Sequence, residues 1–412
     1  MKNNIDNNWF LKTLGPGLLF ASTAIGVSHL VQSTRAGASY GLSLLFFIFI
    51  ANLFKYPFFE FASRYANVTG TSIIDGYSHL GKSILYLYIA ITFLSMFFIT
   101  AAVGAVSSGF LQNLFMTSSM GYLNHIFIFV LCGMILTIGK YDSLDYIIKI
   151  ISSVLFISTI IAFILVLNKG PLEMDLFPDL KYSRNDIFFI IALMGWMPTA
   201  VDLSSWNSLW TIERIKQSKY KPSLKETLFE FNFGYILTAL LSFCFLTLGA
   251  FLMYGSDNVF SNNSAVFANQ IISLYTETIG KWSYLIISLS GFSIMFGTCI
   301  AVFDGYSRSM NKSIQLALST KKSFYNQVIW VLIIGSLVIV TTLGGQLKQL
   351  IDLATTVSFI IAPFVAIANY KLVSIENLGK ENVPKPWLKT LSVAGIIYLV
   401  SFCIIFLYFK LF

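Results

Sequence analysis

Charged side chains are what this sequence has least of. Asp, Glu, Lys and Arg make up 11% of its 412 residues, against 56% hydrophobic, where a soluble domain averages about 25% charged. That deficit excludes a soluble globular fold and leaves a polytopic membrane protein. Cysteine is confined to Cys132, Cys244, Cys299 and Cys403, each inside an apolar stretch and none in a CxxC pair. A disulfide frame and a thiolate metal site are therefore excluded. The sequence holds no nucleotide-binding loop, HExxH or nucleophile elbow, so neither an enzyme nor a primary pump is expected, and no cofactor. The excess charge is positive, +8 in all. In a membrane chain this reflects cytoplasmic loops beside anionic lipid. The expected partners are the bilayer and a small ion or molecule, not nucleic acid. The polar start, MKNNIDNNWFLKT, runs into the first apolar stretch without a small-residue cleavage site, so no signal peptide is expected to be removed.

What the sequence does have is apolar runs long enough to cross a bilayer. Eleven are expected, at about 14–37, 41–65, 83–112, 122–138, 144–167, 186–209, 228–254, 282–307, 326–344, 349–373 and 389–409, joined by brief loops. The chain reads as a single integral membrane domain. With the N-terminus inside, 18 basic residues fall on cytoplasmic segments and 7 on the other side, with Lys55 and Lys149 within spans. That bias predicts a cytoplasmic N-terminus, an external C-terminus, and a location in a bacterial-type plasma membrane.

Two runs are not built as plain helices. The first opens on Gly15-Pro16-Gly17, is interrupted by Gly26, Ser28 and His29, and turns polar at Gln32-Ser33-Thr34-Arg35. The sixth carries Gly195 and Pro198 in mid-span, and Pro198 frees carbonyls near residue 194. Backbone freed at mid-depth is tolerated only where it lines a cavity or ligand site. Spans one and six are the first members of spans 1–5 and 6–10. Matching interruptions in two halves point to an inverted-repeat transporter with a midplane site. The halves are expected at about 14–167 and 186–373, with an extra helix at 389–409.

These residues resemble the NRAMP family of divalent-metal transporters over nearly the whole chain. The shared pattern runs from Gly15-Pro16-Gly17 to Ala36-Gly37 in the first span. It includes Asn52-Leu53, Arg64 and Val68-Thr69-Gly70 in the second, and Met197-Pro198 in the sixth. Asp304-Gly305-Tyr306 in the eighth and Pro363-Phe364 in the tenth complete it. The resemblance implies an all-α fold of the leucine-transporter type, a 5+5 inverted repeat with helices 1 and 6 broken. The departures fall on the chemistry. The family's first-span Asp-Pro-Gly-Asn is replaced by Gly26-Val27-Ser28-His29, and the histidine of its sixth-span Met-Pro-His by Thr199. A tenth-span glutamine of the family corresponds to Thr355. Its third-span carboxylates fall near Thr100 and Val103, and 83–112 contains no Asp or Glu. Of the implied metal and proton roles, only that of Met197 carries over.

His29 is then the leading replacement ligand, since neutral imidazole is the commonest transition-metal ligand. With the Met197 thioether and carbonyls around Gly26 and Met194, it would make a softer site than an Asp/Asn pair. The alternative is a histidine that hydrogen-bonds a freed carbonyl. Asp202 and Asp304 are intramembrane carboxylates, which mark an ion or proton path unless a basic partner makes them struts. Lys55 and Glu60 flank Pro57 in the second span. They can form a gate or proton relay, or they can reach toward the surface beside Arg64. The expected function is NRAMP-like secondary transport of a divalent metal ion by alternating access, with altered selectivity or coupling. The alternatives are a small organic solute or amino acid on the same fold, and a non-transporting membrane sensor.

Overall fold

The computed structural model describes residues 15–117, 120–138, 141–256, 260–343 and 345–411, with only the backbone described for 141–149, 151–152 and 375. The expected positions of residues 1–13, Phe412 and the Lys149 side chain lie outside that set. All described regular structure is helical. In order, the helices are α1 (Pro16–Ala24), α2 (Thr34–Tyr40), α3 (Leu45–Thr69), α4 (Ile73–Leu80), α5 (Lys82–Phe115), α6 (Leu123–Ile138), α7 (Tyr141–Lys169) and α8 (Arg184–Gly195). There follow α9 (Ser204–Ser218), α10 (Leu224–Leu252), α11 (Ser264–Ile279), α12 (Tyr284–Ala317), α13 (Tyr325–Leu343), α14 (Leu347–Leu372), α15 (Ile375–Leu378) and α16 (Pro386–Leu411).

Each expected run corresponds to described helix. Among the described residues seven of these helices are long and apolar enough to cross a membrane singly, and α6 is a shorter apolar helix. Spans one and six do not read as single helices because each is broken. The second half-helix of one is α2, reached from α1 through the π-helical segment Ile25–Ser33, and Gly26 within it leaves helical geometry (φ −71°, ψ −124°). The other is α8 and α9, separated by Trp196–Ala200 and one tight turn at Val201–Leu203. Proline lacks an N–H, so Pro198 cannot continue the α8 ladder. By contrast Pro57 sits inside α3 without ending it. Local chemistry fixes the helix starts. Ser72/Asp75, Ser183/Asp186 and Ser223/Glu226 form capping boxes at α4, α8 and α10, each satisfying donors the first turn leaves free.

The fold is the leucine-transporter-type inverted repeat with broken helices 1 and 6. Spans one, two, six and seven pack together, and the third span packs on the eighth, ninth and tenth. The first and seventh spans touch backbone to backbone: a Cβ on Gly234 of α10 would lie 2.3 Å from the Gly17 carbonyl oxygen. Small residues permit that approach in membranes. Three helices were not expected. Two are α4 and the single-turn α15; the third is α11, which fills the long connection before the eighth span and buries Phe267, Ile271, Ile272 and Tyr275. Their short amphipathic patterns lack the length of a span.

Side-chain ties gather the helix ends into two faces. Arg64 reaches the Asn382 carbonyl, Asn67 the Pro222 carbonyl, and Lys312 pairs with Asp75 at 2.7 Å. On the opposite face Arg35 pairs with Asp352, Tyr40 donates to Asp186, and Arg184 donates to the Lys410 carbonyl. The first face carries the segments assigned to the cytoplasm by their basic residues.

Candidate functional site at the two helix breaks

The first break is closed from within its own span. The His29 ring is fully buried, with Nδ1 2.6 Å from the Ala24 carbonyl oxygen and Nε2 2.8 Å from that of Thr238 on α10. A neutral imidazole carries one N–H, so it serves one of these acceptors at a time. The Ser28 hydroxyl lies 2.8 Å from Nδ1 and within reach of two carbonyls, that of Ala24 and, at 3.2 Å, that of Pro198, and its single hydrogen is shared between them. Ser28 therefore ties the two breaks together.

The sixth break is closed by a different helix. The Lys55 ammonium, fully buried on α3, donates to the carbonyls of Met194 (2.5 Å), Gly195 (2.8 Å) and Thr199 (3.2 Å). Three N–H groups meet three acceptors, the full capacity of an ammonium. Two of those carbonyls end α8, where the helix dipole favours positive charge.

Between the breaks lies a cavity of about 20 Å³ lined by Thr23, Val27, Ser28, Trp196, Thr199 and Thr298, with Ile99, Val103, Ala200, Leu203 and Val302. That is room for roughly one water, so the site is nearly filled by its own side chains. Its polar groups are hydroxyls, an indole and backbone; no carboxylate lines it. Among the described residues no group of three His, Cys, Asp or Glu side chains is placed to hold a metal.

The structure brings Val27, Ser28 and Thr199 onto this cavity, with Gly26 beside it. A Cβ at Gly26 would meet the Thr298 methyl at 2.6 Å and its hydroxyl at 2.8 Å, so Thr298 fills the space a longer side chain would take. His29 and Met197 are not among the lining residues. The Met197 sulfur accepts from Ser33 at 3.7 Å, and the Met194 sulfur accepts from Tyr398 at 2.8 Å. Thr355 bonds its own helix at the Ile351 and Asp352 carbonyls, while its carbonyl oxygen would lie 2.1 Å from a Cβ at Gly195.

The four charged residues divide. Glu60 is buried and paired with Arg64, whose Nε is 3.0 Å away. Asp304 is held by Arg308 (2.7 and 2.8 Å), the Tyr325 hydroxyl (2.6 Å) and the Trp210 indole (3.2 Å). Both are struts near one end of the bundle. Lys55 and Asp202 lie at the sixth break. Asp202 is buried, with one oxygen 3.5 Å from the Tyr306 hydroxyl and the other without a hydrogen-bond partner.

Two further clusters escaped sequence reading. Arg35 on α2 makes a two-pronged pair with Asp352 on α14 (2.7 and 3.0 Å), and Gln32 donates to the same carboxylate at 3.1 Å. Glu230 on α10 accepts from the Gly15 and Gly17 N–H groups at 2.8–3.0 Å, capping the start of α1. An acidic residue inside an apolar run was the available signal for both.

The chain as a whole resembles known proteins. A protein of Pasteurella multocida with no assigned function is 35% identical over 411 residues, covering 97% of this chain and 93% of its own. A manganese transporter of Eremococcus coleocola has the same fold, with TM-score 0.72 at 13% identity, covering 98% of this chain and 87% of that one. MhsT, solved with L-phenylalanine, matches at TM-score 0.58 and 12% identity over 97% and 99% of the two chains. The family description Natural resistance-associated macrophage protein-like fits residues 17–409, and the chain belongs to this Nramp family of membrane transporters.

Proposed function

We propose that the protein is a secondary transporter working by alternating access. Its substrate is a divalent metal ion, with selectivity shifted toward softer ions than the family norm. The observation that carries the reading is the pair of breaks facing one small cavity with no carboxylate on its wall. Hard cations need several oxygens and compensating charge; here Mg and Ca meet neutral hydroxyls and a nearby fixed ammonium. A softer ion can use the Met197 thioether and the imidazole of His29 once that ring turns away from its two carbonyls.

Alternation would use the two ties on the first span. Arg35–Asp352 joins α2 to α14 at one end, and Glu230 holds α1 at the other. The two repeats are those expected at 14–167 and 186–373, with the helix at 389–409 outside them. The N-terminus is taken as cytoplasmic. The third span carries no carboxylate, so any proton coupling passes through His29, Asp202, Lys55 or Glu60.

A second reading, transport of a small organic solute or amino acid, is favoured by the cavity's make-up: an indole, four hydroxyls and aliphatic side chains. Uptake into proteoliposomes of Mn, Fe, Cd, Zn, Mg and a set of amino acids tests both. Saturable uptake of Cd or Fe without Mg supports the first. Uptake of an organic solute with no divalent ion taken up replaces it with the second. Solute-linked conformational change with no flux would instead make the protein a sensor.

A further inference from the structure

In transporters with broken spans, the carbonyls freed at a break commonly coordinate a cation taken from solution. Here those of the sixth break are already occupied. The Lys55 ammonium lies 2.5, 2.8 and 3.2 Å from the carbonyl oxygens of Met194, Gly195 and Thr199, distances at which an ammonium or a potassium-sized ion bonds oxygen. The donors come from both sides of the break: two end α8, and Thr199 lies beyond Pro198 on the way to α9.

We propose that Lys55 is a covalently tethered substitute for a bound monovalent cation at the sixth-helix break. It holds the break in its folded shape without any ion from solution. The four-carbon stem reaches from α3 through a wholly buried path, so the charge is delivered to mid-depth without hydration. Asp202, buried at the same break, keeps one carboxylate oxygen free of hydrogen bonds. The same fixed positive charge stands directly behind Thr199, a wall residue of the cavity. The inference holds for either solute considered above, because it concerns the resident cation and not the cargo.

The distinguishing property is chemical rescue. A lysine that only fills space would be replaced best by another long side chain, and free cations would have no effect. A tethered cation, once removed, leaves an empty site for a small free one. The full-length protein is purified as wild type, Lys55→Ala and Lys55→Met. Thermal unfolding is then followed against ammonium, methylammonium, sodium and potassium at constant ionic strength, with a bulky organic cation as balance. Wild type should show no specific response. Lys55→Ala should unfold several degrees lower and regain much of that loss, saturably, with ammonium or methylammonium. Lys55→Met, whose side chain keeps the stem volume without charge, should be destabilised and not rescued. If Lys55→Ala can be purified only with ammonium present, that dependence is itself the rescue. The proposal is overturned if Lys55→Met is as stable as wild type. It is also overturned if wild type and Lys55→Ala respond alike to every cation, or if no cation restores Lys55→Ala. Because the readout is stability, failure here leaves the transport reading untouched, and failure of transport leaves this result untouched.

Discussion

The two helix breaks face the same cavity and solve the same problem by opposite means. The first exposes the Ala24 carbonyl and satisfies it with Ser28 and His29 from its own span, which also reach Thr238 and Pro198 on neighbours. The donors are neutral hydroxyl and imidazole groups whose hydrogens can be exchanged or rearranged. The sixth exposes Met194, Gly195 and Thr199 and satisfies them with one permanent-looking charge from another helix, 140 residues earlier in the chain for Gly195. The difference teaches that the first break is built to change and the sixth to stay put. A carbonyl unpaired in hydrocarbon costs several kcal/mol, so neither break can release its donors unless a ligand, water or a partner helix takes their place.

The largest effect expected from disturbing this comparison is at the sixth break. Lys55→Met removes three hydrogen bonds and leaves the buried carbonyls of Met194, Gly195 and Thr199 without their donor. Leaving a buried acceptor unsatisfied costs about 1–3 kcal/mol for each group, and a denaturant or thermal unfolding series should show a summed loss of that kind.

At the first break, His29→Gln should cost less, about 1–2 kcal/mol, because an amide can still donate to one carbonyl. His29→Ala should cost more and abolish binding of any soft divalent ion, which isothermal titration would read. A smaller cost from Lys55→Met than from His29→Ala would reverse the ranking of the two breaks.

Restoring the family's ligands sharpens the comparison further. Gly26→Asp with His29→Asn should move selectivity toward Mn only when Thr298 is also reduced to Ala, because Thr298 occupies the space beside Gly26. Metal titrations of the double and triple variants would show whether that one side chain is the obstacle. A full gain of Mn binding in the double variant would mean that Thr298 yields freely. Met197→Ala, alone, should weaken Cd about tenfold, roughly 1.4 kcal/mol, and Mn less.

The smallest effect is expected at the tie just beyond the first break, away from both sets of freed carbonyls. Asp352→Asn loosens a pair that is partly exposed, with the carboxylate side chain 35% accessible, and such pairs contribute about 0.5–1 kcal/mol. The consequence is a two- to fivefold rise in labelling of a cysteine placed at Val27 from the face that carries Arg35.

Much of this was legible in the sequence. The broken spans were marked by Gly26 and by Gly195 with Pro198, because glycine and proline act on the backbone locally. The choice between ligand and hydrogen-bond donor at His29 was visible as two alternatives, and the geometry sets both ring nitrogens on carbonyls. Lys55 stood out as a charge in an apolar run. What it touches did not, because Met194, Gly195 and Thr199 contribute backbone, which carries no sequence signal. Asp304 looked like Asp202 until its partners were known: Arg308 lies one turn away in the same helix, whereas Asp202 has no basic residue nearby in sequence; for Glu60 the neighbour Arg64 was already visible. The tie between Arg35 and Asp352 joins the first and tenth spans. Helix α11 was hidden by its short, half-polar pattern.

The most direct test of the account is calorimetric titration of the wild-type protein with Cd and Mg under identical conditions, beside a set of amino acids. The account predicts no measurable Mg binding, with saturable binding of Cd that disappears in His29→Ala. Tight Mg binding, or Cd binding that survives His29→Ala and Met197→Ala together, would contradict it.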